Sequence, residues 1–293
     1  MNVLPWLEQP LQRVLDLHQE SRLPHGLLIR AGEGWGEVVL ADRIALHLLD
    51  RPDAETARTL AHPDLKWVEP EGSVIKVDDI REVAAFAVGT RQMAPAKVIV
   101  IESAELMNAS AANALLKTLE EPPADTYLLL ATARPGRLLP TIVSRCQSVL
   151  VGRDLDAARV WLSERWSSEQ LSEKLFECGD APLSVHHALE QEEPPLAPLL
   201  GALCSASLAT QAVADLLAWD VDRLTSAWYR HCGALLAGTG RIKGLTVSEP
   251  ALLAAFADEL LDIRRQLLTT NSANQRLLYE RLAVRWQGAV SPG

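Results

Sequence analysis

The segment Ala31-Gly32-Glu33-Gly34-Trp35-Gly36-Glu37-Val38 has the glycine density of a loop that cradles phosphate. Such loops follow the pattern G-x-x-x-x-G-K-[S/T] between a strand and a helix. Backbone N–H groups hold the phosphates, the lysine neutralises them and the hydroxyl holds Mg²⁺. Here Glu37 stands at the lysine position and Val38 at the hydroxyl position. A carboxylate about 4 Å from a phosphate charge costs on the order of 4 kcal/mol at an effective dielectric near 20. The expectation is a phosphate loop in geometry, built on Gly32, Gly34, Gly36 and Glu37, that has lost ATP. A second position agrees. P-loop ATPases end a later strand in an Asp for Mg²⁺, often followed by a Glu that polarises water. Glu102 and Ser103 stand at those two places.

The third candidate is a pair of segments. Ser110-Ala111-Ala112-Asn113-Ala114-Leu115-Leu116-Lys117-Thr118-Leu119-Glu120-Glu121-Pro122-Pro123 reads as a helix with a proline stop, and Ser144-Arg145-Cys146 begins 21 residues after Pro123. A lone arginine is ordinarily a solvated surface residue. Ser144 and Cys146 are nucleophile types, but no His or acid is placed by sequence to activate either.

These segments need elements to hold them. Apolar Leu27-Leu28-Ile29 leads into the glycine loop, and residues 38–49 follow at helical spacing. Leu65-Lys66-Trp67-Val68 and Val74-Ile75-Lys76-Val77 read as two short strands around Glu69-Pro70-Glu71-Gly72. Asp78-Asp79 would cap a helix over 80–88. Lys97-Val98-Ile99-Val100-Ile101 and Tyr127-Leu128-Leu129-Leu130-Ala131-Thr132 are strands buried on both faces. Strands alternating with helices predict a parallel sheet covered on both sides. After about 155 the pattern is helical, with a proline-rich boundary at Glu192-Glu193-Pro194-Pro195-Leu196-Ala197-Pro198 and long helices over 251–268 and 277–286.

Leu-Leu-Lys-Thr-Leu-Glu-Glu-Pro-Pro at 115–123 with the downstream Ser144-Arg145-Cys146 resembles the bacterial clamp-loader AAA+ subunits of the DNA polymerase III holoenzyme. Leu23-Pro24-His25-Gly26-Leu27-Leu28 and His62-Pro63-Asp64 fit the same family. Beyond 150 the likeness is confined to helical character and to Asn271-Ser272-Ala273-Asn274. The missing lysine points to its delta-prime members rather than the ATP-hydrolysing tau/gamma subunits. The resemblance implies a RecA-like AAA+ α/β domain over 1–152 with a degenerate P-loop, a small helical lid over 153–195 and an all-α collar domain over 196–293. It also implies that Arg145 is an arginine finger reaching a neighbouring subunit's ATP site. The implied partners are tau/gamma and delta subunits, with the sliding clamp and primer-template DNA met through the complex. ATP and Mg²⁺ would be used by the partner and no cofactor bound by this chain. The lid arginines that sense nucleotide in hydrolysing relatives have no clear match around Gly179-Asp180-Ala181-Pro182-Leu183. Many relatives carry a four-cysteine zinc module before His-Pro-Asp; the interval 49–58 has no cysteine, so no zinc is expected. The rival reading is a self-sufficient P-loop ATPase of recombination or helicase loading.

Composition bounds the choice. The 293 residues include 28 Lys or Arg and 38 Asp or Glu, a formal net charge of −10. Residues 1–150 hold 15 basic and 20 acidic side chains, 151–200 hold 4 and 10, and 201–293 hold 9 and 8. No basic stripe is visible, so DNA contact should depend on partners. The four cysteines are too far apart for a CxxC clip, no apolar run is long enough to span a bilayer, and the start lacks a basic n-region. A reduced, cytoplasmic, membrane-free protein is expected. His186-His187 are adjacent and form no i, i+4 metal pair, and the eight tryptophans are scattered as core or interface residues rather than a base-stacking set.

Overall fold

A computed structural model of the chain describes residues 4–205, 209–242, 244–269 and 274–292; Asn271, Ser272 and Ala273 lie outside them. The chain divides into two compact units, residues 1–161 and 162–293.

In the first unit a 3-10 turn, Pro5–Leu7, leads into α1 (Glu8–Gln19), then β1 (Gly26–Arg30), α2 (Glu37–Leu48), β2 (Leu65–Val68), α3 (Val77–Val88), β3 (Lys97–Ile101), α4 (Ala109–Glu120), β4 (Thr126–Thr132), α5 (Pro140–Val143) and β5 (Gln147–Leu150). The five strands form one parallel sheet in the order β2-β3-β4-β1-β5. Leu27, Leu28, Ile29, the β3 run Val98–Ile101 and the β4 run Leu128–Ala131 have no exposed surface, because helices cover both faces of the central strands. Parallel pairing carries the glycine loop after β1 and Glu102 after β3 to the same, carboxyl-terminal edge of the sheet, where α/β folds place their sites.

One sequence expectation is corrected here. Val74-Ile75-Lys76-Val77 is not a strand: Val74 and Ile75 make isolated bridges to Glu71 and Met107, and Val77 already begins α3. The helix starts early because the Asp79 carboxylate accepts the Lys76 N–H at 2.7 Å, moving the cap ahead of Asp78-Asp79. Apolar β-branched residues before a helix mimic a strand in sequence, and tertiary context decides.

In the second unit α6 (Leu155–Ser163), which begins in the first, is followed by α7 (Ser168–Glu177), α8 (Pro182–Glu190), α9 (Leu196–Leu203), α10 (Ala209–Leu216), α11 (Val221–Leu236), β6 (Leu245–Val247), α12 (Pro250–Thr269), α13 (Gln275–Ala289) and β7 (Val290–Pro292). Its core is aromatic: Trp228, Phe256 and Trp286 meet pairwise at 5.4–5.7 Å between ring centroids, and Trp286 Nε1 donates to the Leu200 carbonyl at 3.0 Å. The Glu177 carboxylate accepts from Lys174 at 2.8 Å and from the Leu196 N–H at 2.5 Å, while Lys174 also donates to the Pro194 carbonyl. This buried pair stitches the proline run to α7. Pro198 falls in the first turn of α9, where its missing N–H costs nothing. The antiparallel β6–β7 pair was not anticipated; three-residue strands leave no periodicity to read.

His62-Pro63-Asp64 proves to be a staple. Asp64 is fully buried, and its carboxylate accepts the N–H groups of Gln92, Met93 and Ala94 at 2.7–2.8 Å, fastening the loop that feeds β3. Burial alone would raise this carboxyl, but the three donors hold it below the usual carboxylate range. The stability it supplies is therefore full above about pH 4 and is lost as pH falls through the native value. Asp64→Ala should lower the opening free energy of the amides at 92–94 by on the order of 3 kcal/mol at pH 7, with the gap to wild type shrinking below about pH 4. Amide hydrogen exchange at the two pH values measures both.

Candidate functional site

The glycine loop occupies residues 31–36. Gly34 and Gly36 have φ of 72° and 92°, a region that a side chain resists, and Gly36 caps α2. The loop turns around Trp35, which is fully buried, receives the Trp6 Nε1 donor on its carbonyl at 2.9 Å and lies edge-on to the Trp6 ring. A Cβ at Gly32 would stand 2.8 Å from Arg153 Nη2, so the Arg153 side chain lies directly on that glycine. Burial raises the Glu37 carboxyl; Glu105 and Glu33 push the same way, while hydrogen bonding from the backbone of Glu37 and Gly36 opposes them.

Glu102 at the end of β3 is buried and engaged. It accepts Trp67 Nε1 at 2.9 Å and stands 3.3 Å from Arg58 Nε, and Arg58 also bridges Glu69 at 2.7 Å. Burial pushes the Glu102 carboxyl up; the Arg58 cation and the Trp67 donor pull against it. Arg58 was not singled out in the sequence, where it is one arginine in an interval with no motif of its own. That interval is pinned by a carboxylate on α2: Asp42 Oδ1 accepts Thr56 Oγ1 at 2.6 Å and the N–H groups of Ala57 and Arg58 at 2.7 and 3.3 Å. Among the described residues no group of three or more His, Cys, Asp or Glu could hold a metal ion.

Arg145 lies at the other end of the sheet strands, after α5. Its Nη2 is 2.5 Å from Glu120 Oε1, and its Nη1 donates to the Thr141 carbonyl at 2.9 Å, with about a third of the side chain exposed. The chain's motifs converge around it. His25 Nε2 bonds the Leu119 carbonyl at 2.8 Å; a carbonyl only accepts, so this nitrogen carries the proton. A Cβ at Gly26 would meet the Leu119 side chain at 3.2 Å and the Arg145 carbonyl at 3.4 Å, which explains the glycine. The structure brings Arg145 to this junction and the P-loop residues to a separate one. Glu120, inside the Leu-Leu-Lys-Thr-Leu-Glu-Glu-Pro-Pro motif, is Arg145's partner, a pairing made by the fold and not signalled by neighbours in sequence.

The family described as "DNA polymerase III, delta subunit" matches residues 7–153. The DNA polymerase III subunit delta' of Pseudomonas aeruginosa is 31% identical, the match covering 100% of this chain and 99% of that protein. The chain belongs to the DNA polymerase III delta-prime family. Its Escherichia coli K12 member is also 31% identical, over 100% of this chain and 98% of the relative. A DNA polymerase III gamma subunit-related protein from Thermotoga maritima shares the fold, with a TM-score of 0.54 at 19% identity over 97% of this chain and 99% of that one. As in the sequence-based expectation, the fold is an α/β domain with a five-stranded parallel sheet followed by helices. No helix among the described residues is long and apolar enough to cross a membrane.

Burial pushes the Cys146 thiol up to about 11, which removes it as a nucleophile near neutral pH. At pH 8 iodoacetamide should modify Cys146 on the order of a hundredfold more slowly in the native chain than in urea. Peptide mapping by mass spectrometry checks this; equal rates would show an activated thiol.

Proposed function

We propose that this chain is a delta-prime-like subunit of the DNA polymerase III clamp loader, a non-hydrolysing scaffold that helps place the sliding clamp on primed DNA. In this reading Arg145 completes the ATP site of a neighbouring tau/gamma subunit in trans. ATP and Mg²⁺ are consumed there, and this chain is not an enzyme by itself. The observation that carries the reading is an asymmetry of charge. An arginine fork is held at the surface by Glu120 and Thr141, while the chain's own loop has a raised carboxyl at the lysine position and an arginine laid over Gly32.

The residues present do not fit a nucleoside triphosphate. Glu37 stands at the lysine position with Glu105 and Glu33 adding negative charge near it, Glu33 being bridged by Arg134 at 3.1 Å, and at Glu102 a guanidinium and an indole N–H already take the carboxylate. Asp42 fastens the loop at 56–58 that precedes His-Pro-Asp, which supports a zinc-free interval. The proposed partners are tau/gamma and delta subunits, with clamp and primer-template DNA reached through the complex. The proposed setting is cytoplasmic. The proposed division is 1–152, 153–195 and 196–293, finer than the two compact units.

Two measurements test the reading. The isolated chain should bind ATP with no affinity in the micromolar range by calorimetry; low-micromolar binding would restore the self-sufficient ATPase. In a complex reconstituted with tau/gamma and delta subunits, clamp and primed DNA, Arg145→Ala should slow the site it serves by roughly 10³-fold, the size of a finger supplied in trans. Assembly is checked by size, and an unchanged rate in the intact complex would reduce the role to scaffolding.

A further inference from the structure

We infer that Glu120 is the positioning residue for Arg145, an inference that rests on the trans role proposed above. Glu120 is the last residue of α4, and Glu121 follows it. A helix C-terminus exposes carbonyl oxygens and carries the negative end of the dipole, so carboxylates there are unfavourable by about 0.3–1 kcal/mol each. Two acids in succession are not explained by the helix they end. Arg145 explains the first: its guanidinium bridges Glu120 across the chain, at 2.5 Å, while Nη1 reaches the Thr141 carbonyl.

The anchors of this clamp are rigid. The α4 terminus is tied down by His25 on the Leu119 carbonyl, and Gly26 lets β1 pass close beneath Leu119 and the Arg145 backbone. Thr141 belongs to α5, whose Ile142 is fully buried. A free arginine side chain carries about 2 kcal/mol of rotamer entropy, which an arginine acting on a phosphate must surrender at the moment of contact. Glu120 and Thr141 remove most of that freedom beforehand. Of the five N–H donors, Glu120, Thr141 and a long contact to Ser144 Oγ occupy at most three among the described residues. At least two donors are left over on a side chain that is about a third exposed, available to an incoming anion.

An exposed pair of this kind adds little to folding stability. Loss of Glu120 should therefore be read in catalysis and not in melting, a separation that a merely structural acid would not give.

The test uses the reconstituted complex with wild type, Glu120→Ala, Glu120→Gln, Arg145→Ala and the double Glu120→Ala/Arg145→Ala, each checked for assembly and melting temperature. Glu120→Ala should lower kcat at the served site about tenfold with KM for ATP unchanged. Glu120→Gln, which keeps an acceptor, should recover most of the rate. The double variant should be no slower than Arg145→Ala, because Glu120 acts only through the arginine. If Arg145→Ala is slow and Glu120→Ala runs at the wild-type rate, the positioning role falls and the trans role stands. If Arg145→Ala itself runs at the wild-type rate, both fall. A double variant slower than Arg145→Ala by the full Glu120 factor would place Glu120's action elsewhere.

Discussion

The close approach of β1 to the end of α4 is the constraint on which the first unit depends. At Gly26 a strand, a helix terminus and the Ser-Arg-Cys segment meet closely, so that a Cβ would press on the Leu119 side chain at 3.2 Å. The His25–Leu119 hydrogen bond crosses 94 residues of sequence to close that junction. A helix terminus has carbonyls without intrahelical partners, and burying one without a donor would cost about 1–3 kcal/mol. His25 answers that need, and in doing so it fixes the position of Glu120 one residue on. The sheet order follows from the same junction: β1 runs between β4 and β5, so the loops on either side of α4 and α5 arrive together.

At the opposite edge of the sheet lies the glycine loop at 31–36, with a carboxylate, Glu37, at the place where a phosphate loop carries its lysine. The glycine conformations at 34 and 36 remain, as does the helix that starts at Glu37. What differs is where cations sit. In this chain Arg58 stands 3.3 Å from Glu102, and Arg153 lies on Gly32. Each places the positive charge on a carboxylate or a loop of the chain itself. Backbone geometry is set by sheet and helix packing and survives such exchanges; ligand affinity depends on a few charges and does not. That separation is the physical content of the non-hydrolysing scaffold role proposed for this chain.

The strength of the sequence signal varied with how local its cause was. The strands Lys97–Ile101 and Thr126–Thr132 announce themselves because burial on both faces demands unbroken apolar runs. The helix Ala109–Glu120 ends at the Pro122-Pro123 stop, readable from neighbours, and the structure adds the Asn108 cap at its start. Val74-Ile75-Lys76-Val77 misled because the competing interaction, Asp79 on the Lys76 N–H, belongs to the helix that follows. The β6–β7 pair joins residues more than 40 apart in sequence and three residues long, below any periodicity. At the candidate site, Arg145 and the altered loop were legible because they sit inside motifs. Glu120, His25, Arg58 and Arg153 carry roles assigned only by partners distant in sequence, and no local pattern encodes a partner.

The charge balance bears on how a single arginine could act in this chain. With a net charge of −10, the protein as a whole repels polyphosphate at long range. At physiological ionic strength the screening length is about 8 Å, so one exposed guanidinium beside a carboxylate exerts almost no pull beyond contact. In the proposed trans role Arg145 does not recruit a nucleotide from a distance; its effect comes after assembly has brought the two surfaces together. A pre-positioned fork suits that order of events. Its benefit is entropic and geometric, appears only at contact, and needs no net positive field around it. The acidic pairing that would spoil an electrostatic lure is then compatible with, and on this reading required by, an arginine that works by being in place.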